Sequence, residues 1–559
     1  MQVMRGHLIS IAAVLALALP TGALARGADG TISDAAGTPG SSGFAGDGGP
    51  ATKALLNAPA DIAFLGADTF VIADANNDRV RRVGANGTIA TAAGGGSCGA
   101  PGCGDGGPAT QAELNRPGGV TALPAGGYLV SDTLDDRVRR VAPDGTIATV
   151  AGSGAAGLAG DGGPATAARL SAPNDTATLP DGGFLIADTD NHRIRRVSPT
   201  GAITTVAGTT RGFSGDGGPA TAAQLDSPRD IAVADDGSFL LADTGNNRIR
   251  RVAADGTIST LAGSSPAPGL TGDGDPARFA RLDQPFSVVP LPNGGALFAD
   301  TGNSRVRRVT PLGAIFTVAG TSSGLAGDGG PARNAQLRSP RGITLGPGGG
   351  FLVADTGNAA VRAASDIGAI PPARLRRSFN VAPVSGSVTV RPFGLRSNLA
   401  LREDDLVPLG SAVDATGGRL RVATALTAAG ALRSAQAFAG PFTLRQTRGP
   451  RLPFTDLVLP SLTGCPGRKA RAAGSTGAPL ASAARRRRRR VGVSKRGGRV
   501  RTVNGAVIAA GLGTEWLTIE TCTGTQIVVR HGRVRVFDRI RKRTRIIRAG
   551  RNLFVRNRL

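Results

Sequence analysis

Aromatic side chains make up only 4% of this 559-residue chain, with one Trp and one Tyr. Sugar-stacking surfaces draw on Trp and Tyr, so a lectin-like site is not expected from Tyr128 and the distant Trp516. Histidine is scarcer, with His7, His192 and His531 spread along the whole chain. A zinc site needs several close ligands, and this spacing argues against one. Glu113 is the only glutamate before residue 371, and it falls in an A-E-L segment expected to be helical. Long apolar runs are also missing after residue 19, so no second membrane-crossing segment is expected.

The first 25 residues read as a signal peptide. Arg5 supplies a positive start, Leu8 to Leu19 an apolar stretch, and Ala23-Leu24-Ala25 a small-residue cleavage site. The expected location is therefore secreted or associated with the cell envelope, with no transmembrane segment after cleavage. Four cysteines, Cys98, Cys103, Cys465 and Cys522, are then disulfide candidates, with pairing inside each region the simplest of the three pairings. Cys98 and Cys103 share one loop whose spacing suits a staple better than a metal.

Charge is unevenly placed. Residues 371–559 hold 37 basic and 8 acidic side chains, so the net +25 of the chain lies wholly in that third. The rest is close to neutral. A polyanion partner is accordingly expected at the C-terminal region.

Glycine (84) and proline (36) are abundant and recur at fixed places between short apolar runs. Two landmarks carry the repeat. G-D-G-G-P-A occurs around Asp47, Asp105, Asp161, Asp216, Asp273 (there G-D-G-D-P-A) and Asp328. The Asp of A-D-T-G-N recurs at Asp74, Asp132, Asp188, Asp243, Asp300 and Asp355. Both series step by 58, 56, 55, 57 and 55 residues. Each repeat reads as four short strands joined by Gly, Pro, Asn and Asp turns, which predicts an all-β, six-bladed propeller. A short helix is expected at Ala220 to Leu225 and its equivalents. Residues 30–37 resemble a fourth strand standing before the first full repeat. They are expected to complete blade six and close the ring.

The pattern D-G-x-x-x-x-A-D-T-x-N-x-R-I-R-R-V, at Asp181 to Val197 and Asp236 to Val252, resembles the NHL repeat. The resemblance implies a propeller over about residues 30–365 and no single function. The repeated Asp and Arg, such as Asp188 with Arg193 and Asp243 with Arg248, are read as blade architecture: Asp capping a turn, Asn in a left-handed conformation, Arg pairing back. Arg-Ile-Arg-Arg-Val breaks alternation, so a bulge or a strand end is expected there. Departures from the repeat, Asp78, Asp135, Asp136 and His192, are read as drift. Gluconolactonase-like propellers resemble this architecture and hold a divalent ion, so a metal-dependent hydrolase is the alternative to a binding protein. No catalytic residue, metal ligand or cofactor is assigned, although Asp and Asn could accept calcium.

Beyond the repeats, G-T-E-W-L, C-x-G-T and G-R-V-R-V resemble FecR-like β domains. That resemblance implies a β-rich fold and places Cys522 in a turn, where pairing with Cys465 would tie its two blocks together. The expected organisation is a signal peptide (1–25), a propeller (27–370), a first β-rich block (371–463), an Arg-rich linker (464–498) and a second block (499–559). The linker holds Arg485, Arg486, Arg487, Arg488, Arg489 and Arg490, candidates for binding an anionic polymer. Without interleaved aromatics no specific nucleic acid is expected. The expected function is a non-enzymatic binding protein whose propeller meets a protein or cell-envelope ligand. Nothing in the sequence specifies an oligomeric state.

Overall fold

The computed structural model describes residues 30–97, 102–292, 294–347 and 349–366. Further on it describes the strands between Ser378 and Arg556 with a few adjoining residues. Residues 1–25, expected as a signal peptide, lie outside the described residues.

Each repeat forms one four-stranded antiparallel sheet, and six sheets follow one another as blades one to six. Blade three consists of Pro173–Thr178, Phe184–Asp188, Arg193–Val197 and Ile203–Ala207, in chain order. Its second strand, Phe-Leu-Ile-Ala-Asp, is buried at every position. A strand with both faces covered reads as a continuous apolar run, and here the neighbouring blades cover both faces. A bulge is present, but on the strand paired with Arg193–Val197 rather than within Arg193–Val197 itself. Ile194 faces Ala207 but Arg195 faces Thr205, so Val206 is the extra residue on the outer strand.

The ring closes as the sequence predicts. Ile32–Ala36 pairs antiparallel with Ala360–Ala364 and supplies the outer strand of blade six. Ile32 and Ala36 are fully buried there.

The expected inter-blade helix is a correction. Ala220–Ala222 makes a single 3-10 turn, with Pro219 before the turn rather than inside it. Ala223 is already extended at ψ 156°. The reason is packing: this path buries Ala220, Ala223 and Leu225 together against Leu185 and Ile194 of blade three and Leu241 of blade four. A continuing helix would keep Ala220 and Ala223 on one face but turn Leu225 away from them. Gly215 passes so close to this turn that a Cβ on it would lie 2.6 Å from the Cβ of Ala223. The G-D-G-G-P segment then runs along the outer edge of the next blade. Gly217 donates to the Ile258 carbonyl at 2.8 Å and Ile258 donates to that of Gly218 at 3.0 Å. Every repeat therefore covers an exposed sheet edge with its own linker.

The C-terminal region is β-rich, with strands that include Ser378–Arg391, Ala412–Ala425, Glu515–Thr521, Gly524–His531 and Arg533–Asp538. They belong to one sheet, in which Thr455–Val458 pairs in parallel with Val500–Val503 and joins the two expected blocks. The linker reading needs correction at one end. Arg488–Ser494 is a strand paired with Glu515–Thr521. Its second half alternates as Arg-Val-Gly-Val-Ser, a period of two that suits a strand.

Candidate functional site

The two landmark aspartates of each repeat meet on one arginine. In blade three, Arg195 contacts Asp188 at 3.2 Å and Asp161 at 2.6 Å. The same arrangement joins Arg81 to Asp74 and Asp47, Arg139 to Asp132 and Asp105, and Arg250 to Asp243 and Asp216. It also joins Arg307 to Asp300 and Asp273, and Arg362 to Asp355 and Asp328. All six arginines are fully buried. These charges pair with one another inside the fold, and the partner of Asp188 is Arg195, not Arg193. Arg193 instead donates to the carbonyl of Asn191 at 2.8 Å. Burial pushes Asp188 up to about 6, against hydrogen bonds from Asn191 and the Ser171 amide and the charge of Arg195. Burial also tends to raise Asp161, but bonds from Thr205 and Arg195 hold it below the ordinary carboxylate range. Both oxygens of Asp161 are engaged, by Arg195 and by Thr205.

The rest of the D-T-x-N turn latches blades together. The Thr189 hydroxyl donates to the Pro228 carbonyl of blade four at 2.8 Å, and Thr356 donates to Pro59 of blade one at 2.7 Å. The left-handed residue is the one after Asn: Asp78, Asp136, His192, Asn247, Ser304 or Ala359. This corrects the expectation for Asn itself, which stays in the 3-10 turn and holds the aspartate. It also gives the supposed drift positions a role. Asp78, Asp136 and His192 accept hydrogen bonds from the backbone amides of Arg116, Ala172 and Ser227 in the following blade, at 2.8, 2.8 and 3.1 Å. His192 accepts through Nδ1, which requires its neutral form, and burial lowers its pKa in agreement.

The inner strands line the axis, and there the blades differ. After the repeated proline that opens these segments come Ala60, Gly118, Asn174, Arg229, Phe286 and Arg341, one per blade. All six line a cavity of about 480 Å³. Arg116, on the turn into blade two, lines it as well. Burial first, and then the charges of Arg229 and Arg116, lower the pKa of Arg341. Arg229 is lowered by burial and by Arg116, with Asp190 acting in the opposite sense. The guanidinium carbons of Arg229 and Arg341 lie 5.4 and 4.9 Å from the ring centre of Phe286.

One residue further along, Asp61, Asp175 and Asp230 are buried. Each accepts a backbone hydrogen bond from the next blade, from Val120, Ile231 and Val288 respectively. Burial raises all three, Asp61 to about 7 and Asp230 to about 8, and in Asp175 and Asp230 neighbouring aspartates add to it. Gly342 stands beside Asp61, where a Cβ would lie 2.4 Å from its Oδ1. Among the described residues, no group of three or more His, Cys, Asp or Glu has a metal-binding arrangement.

Sequence reasoning missed this axial cluster. Its only signal is the single variable position behind each repeated proline. Of the other candidates, Cys103 is disulfide-bonded. Cys98, Cys465, Cys522, Arg485, Arg486 and Arg487 lie outside the described residues. Arg488, Arg489 and Arg490 open a strand, with Arg489 opposite Glu520 in the register.

Residues 207–271 match the Teneurin NHL domain family and residues 170–197 the NHL repeat family. Mouse Teneurin-1 is 31% identical over 234 residues, and Teneurin-m of Drosophila melanogaster 28% identical over 289 residues. These stretches cover 37% and 47% of this chain but only 8% and 10% of the relatives' own lengths. Among solved structures, an auxiliary nutrient binding protein from Bacteroides ovatus is 15% identical with a TM-score of 0.44, covering 60% of this chain and 76% of that one. Virginiamycin B lyase from Staphylococcus aureus is 15% identical with a TM-score of 0.36, covering 55% and 80%. At these TM-scores neither structure carries an argument about function. Residues 30–366 thus form a closed six-bladed β-propeller, within which residues 170–197 match the NHL repeat and 207–271 the Teneurin NHL domain.

Proposed function

We propose that this is an exported binding protein: a rigid propeller that receives its ligand at the axial cavity, held near an anionic envelope surface by its basic C-terminal strands. One observation carries the reading. The charges that recur in every blade are spent on one another inside the fold, whereas the side chains that vary from blade to blade converge on one cavity. The C-terminal hairpin of Arg533–Asp538 and Arg543–Arg548 supports the second half, because Arg535, Arg543, Arg545 and Arg548 are exposed on it. Such a surface attracts polyanions without specificity and loses them to salt. Only the β-rich fold is carried over from the FecR resemblance.

The test is binding of fragments 27–370 and 371–559 to envelope material across a salt titration. The near-neutral propeller is expected to hold its ligand as salt rises, because partly buried charges are screened little. The C-terminal fragment is expected to release. A propeller fragment that captures nothing would defeat the reading.

A metal-dependent hydrolase is the second reading: Asp61, Asp175 and Asp230 each follow a cavity-lining residue in sequence, although the described residues hold no metal-binding group of three. It requires a divalent ion whose removal by chelator abolishes turnover of a lactone.

A further inference from the structure

We infer that the axial cavity binds a small anionic polyol, its oxyanion held by Arg116, Arg229 and Arg341 and one hydroxyl by Asn174. This rests on the axial cavity being the propeller's binding site and adds the ligand's chemical class.

The contrast with the blade arginines carries the argument. Each of the six buried blade arginines has at least two carboxylates, whereas Arg116, Arg229 and Arg341 have none within ion-pair distance among the described residues. The three act on one another electrostatically; of the two acids that line the cavity, Asp190 opposes this at Arg229 and Asp226 is paired with Arg211. Gathering like charges at a partly buried site costs free energy unless an opposite charge is present. Guanidinium groups match carboxylate and phosphate oxygens with paired hydrogen bonds.

Asn174 gives the second, independent indication. It is 7% exposed, lines the same cavity, and its Oδ1 has no hydrogen-bond partner among the described residues. An unsatisfied buried acceptor calls for a donor, and a ligand hydroxyl is one. Phe286 and Ala60, both buried, supply an apolar wall for a carbon skeleton. A volume of about 480 Å³ falls in the range of small-molecule sites.

A carboxylate and a phosphate ester offer the same chemistry here, so the experiment separates them. Calorimetric titration of the full chain at about 0.15 M salt, where exposed charges are screened beyond a Debye length, would use D-glucuronate, D-glucose 6-phosphate and D-glucose. One of the two anions is expected to bind and glucose is not; the stronger anion identifies the oxyanion. Arg229→Gln with Arg341→Gln should weaken that binding about a hundredfold, as two charge-assisted contacts are lost. Asn174→Ala should weaken it about tenfold. Thermal melting of each variant shows whether the ring is intact. Arg229→Lys with Arg341→Lys keeps the charge and should give intermediate affinity. Equal affinity in the wild-type and the double Gln variant, or binding by neither anion, overturns the inference. If neither binds while the propeller fragment still captures envelope material, the ligand class alone is wrong and the binding function stands.

Discussion

The blade junctions and the propeller axis use the same residue types to opposite ends. At the junctions, arginine and aspartate recur six times in one geometry, arginine fully buried and matched by two acids. At the axis, arginines and aspartates stand in neighbouring tiers, occur in some blades only, and are poorly compensated. Repetition with full pairing marks a structural device. Variation with incomplete pairing, gathered at one cavity, marks a site. The C-terminal sheet makes a third case, since its described arginines at 535, 543, 545 and 548 are exposed.

The comparison breaks first if a junction arginine can be removed cheaply. Arg195→Leu leaves the Asp188 carboxyl buried without its partner. A loss of about 3–5 kcal/mol is expected, read as the shift in urea midpoint. A loss under about 1 kcal/mol would place these arginines outside the stabilising framework.

Next in size is Gly342→Ala. The new methyl group would lie 2.5 Å from the Cα of Asp61, so two inner strands must part. About 1–3 kcal/mol is expected to be lost, seen as a lower melting temperature.

Asp230→Asn sharpens the axial half. The carboxyl of Asp230 is raised from 3.8 to about 8, burial first and Asp61 second. Between those values the unfolded chain has released this proton and the folded chain has kept it. Stability should therefore fall as pH rises through that window and level off above it. The asparagine variant, which can still accept from Val288, should show a flatter profile and melt higher than the wild type above pH 8. An unchanged slope would mean that Asp230 carries no such strain.

The smallest effect belongs to Arg196→Ala. Its pair with Asp181 is exposed at 40% and 44%, so a change of about 0–1 kcal/mol is expected in the same unfolding assay.

Much of the ring was legible in the sequence because two aspartate markers move in register, and both now prove to hold the same arginine. Which arginine was not legible. Arg193, Arg195 and Arg196 fall within four residues, and only the pleat and the bulge at Val206 decide that Arg195 turns inward. The inter-blade helix was misread because Pro-Ala-Thr-Ala-Ala favours helix locally, while burial of Ala223 and Leu225 needs an extended chain. His192 looked like drift because its backbone partner, the Ser227 amide, stands 35 residues away. The axial site was invisible for a related reason: one variable residue per repeat becomes a cluster only when the ring closes.

The most direct test sets Arg195→Leu beside Arg229→Gln with Arg341→Gln in the full chain, with melting temperature and ligand binding measured on both. The account predicts that the first loses stability, while the second melts like the wild type and loses binding. If the axial variant unfolds early and the junction variant does not, or the axial variant binds as well as the wild type, the division of charges between structure and recognition is wrong.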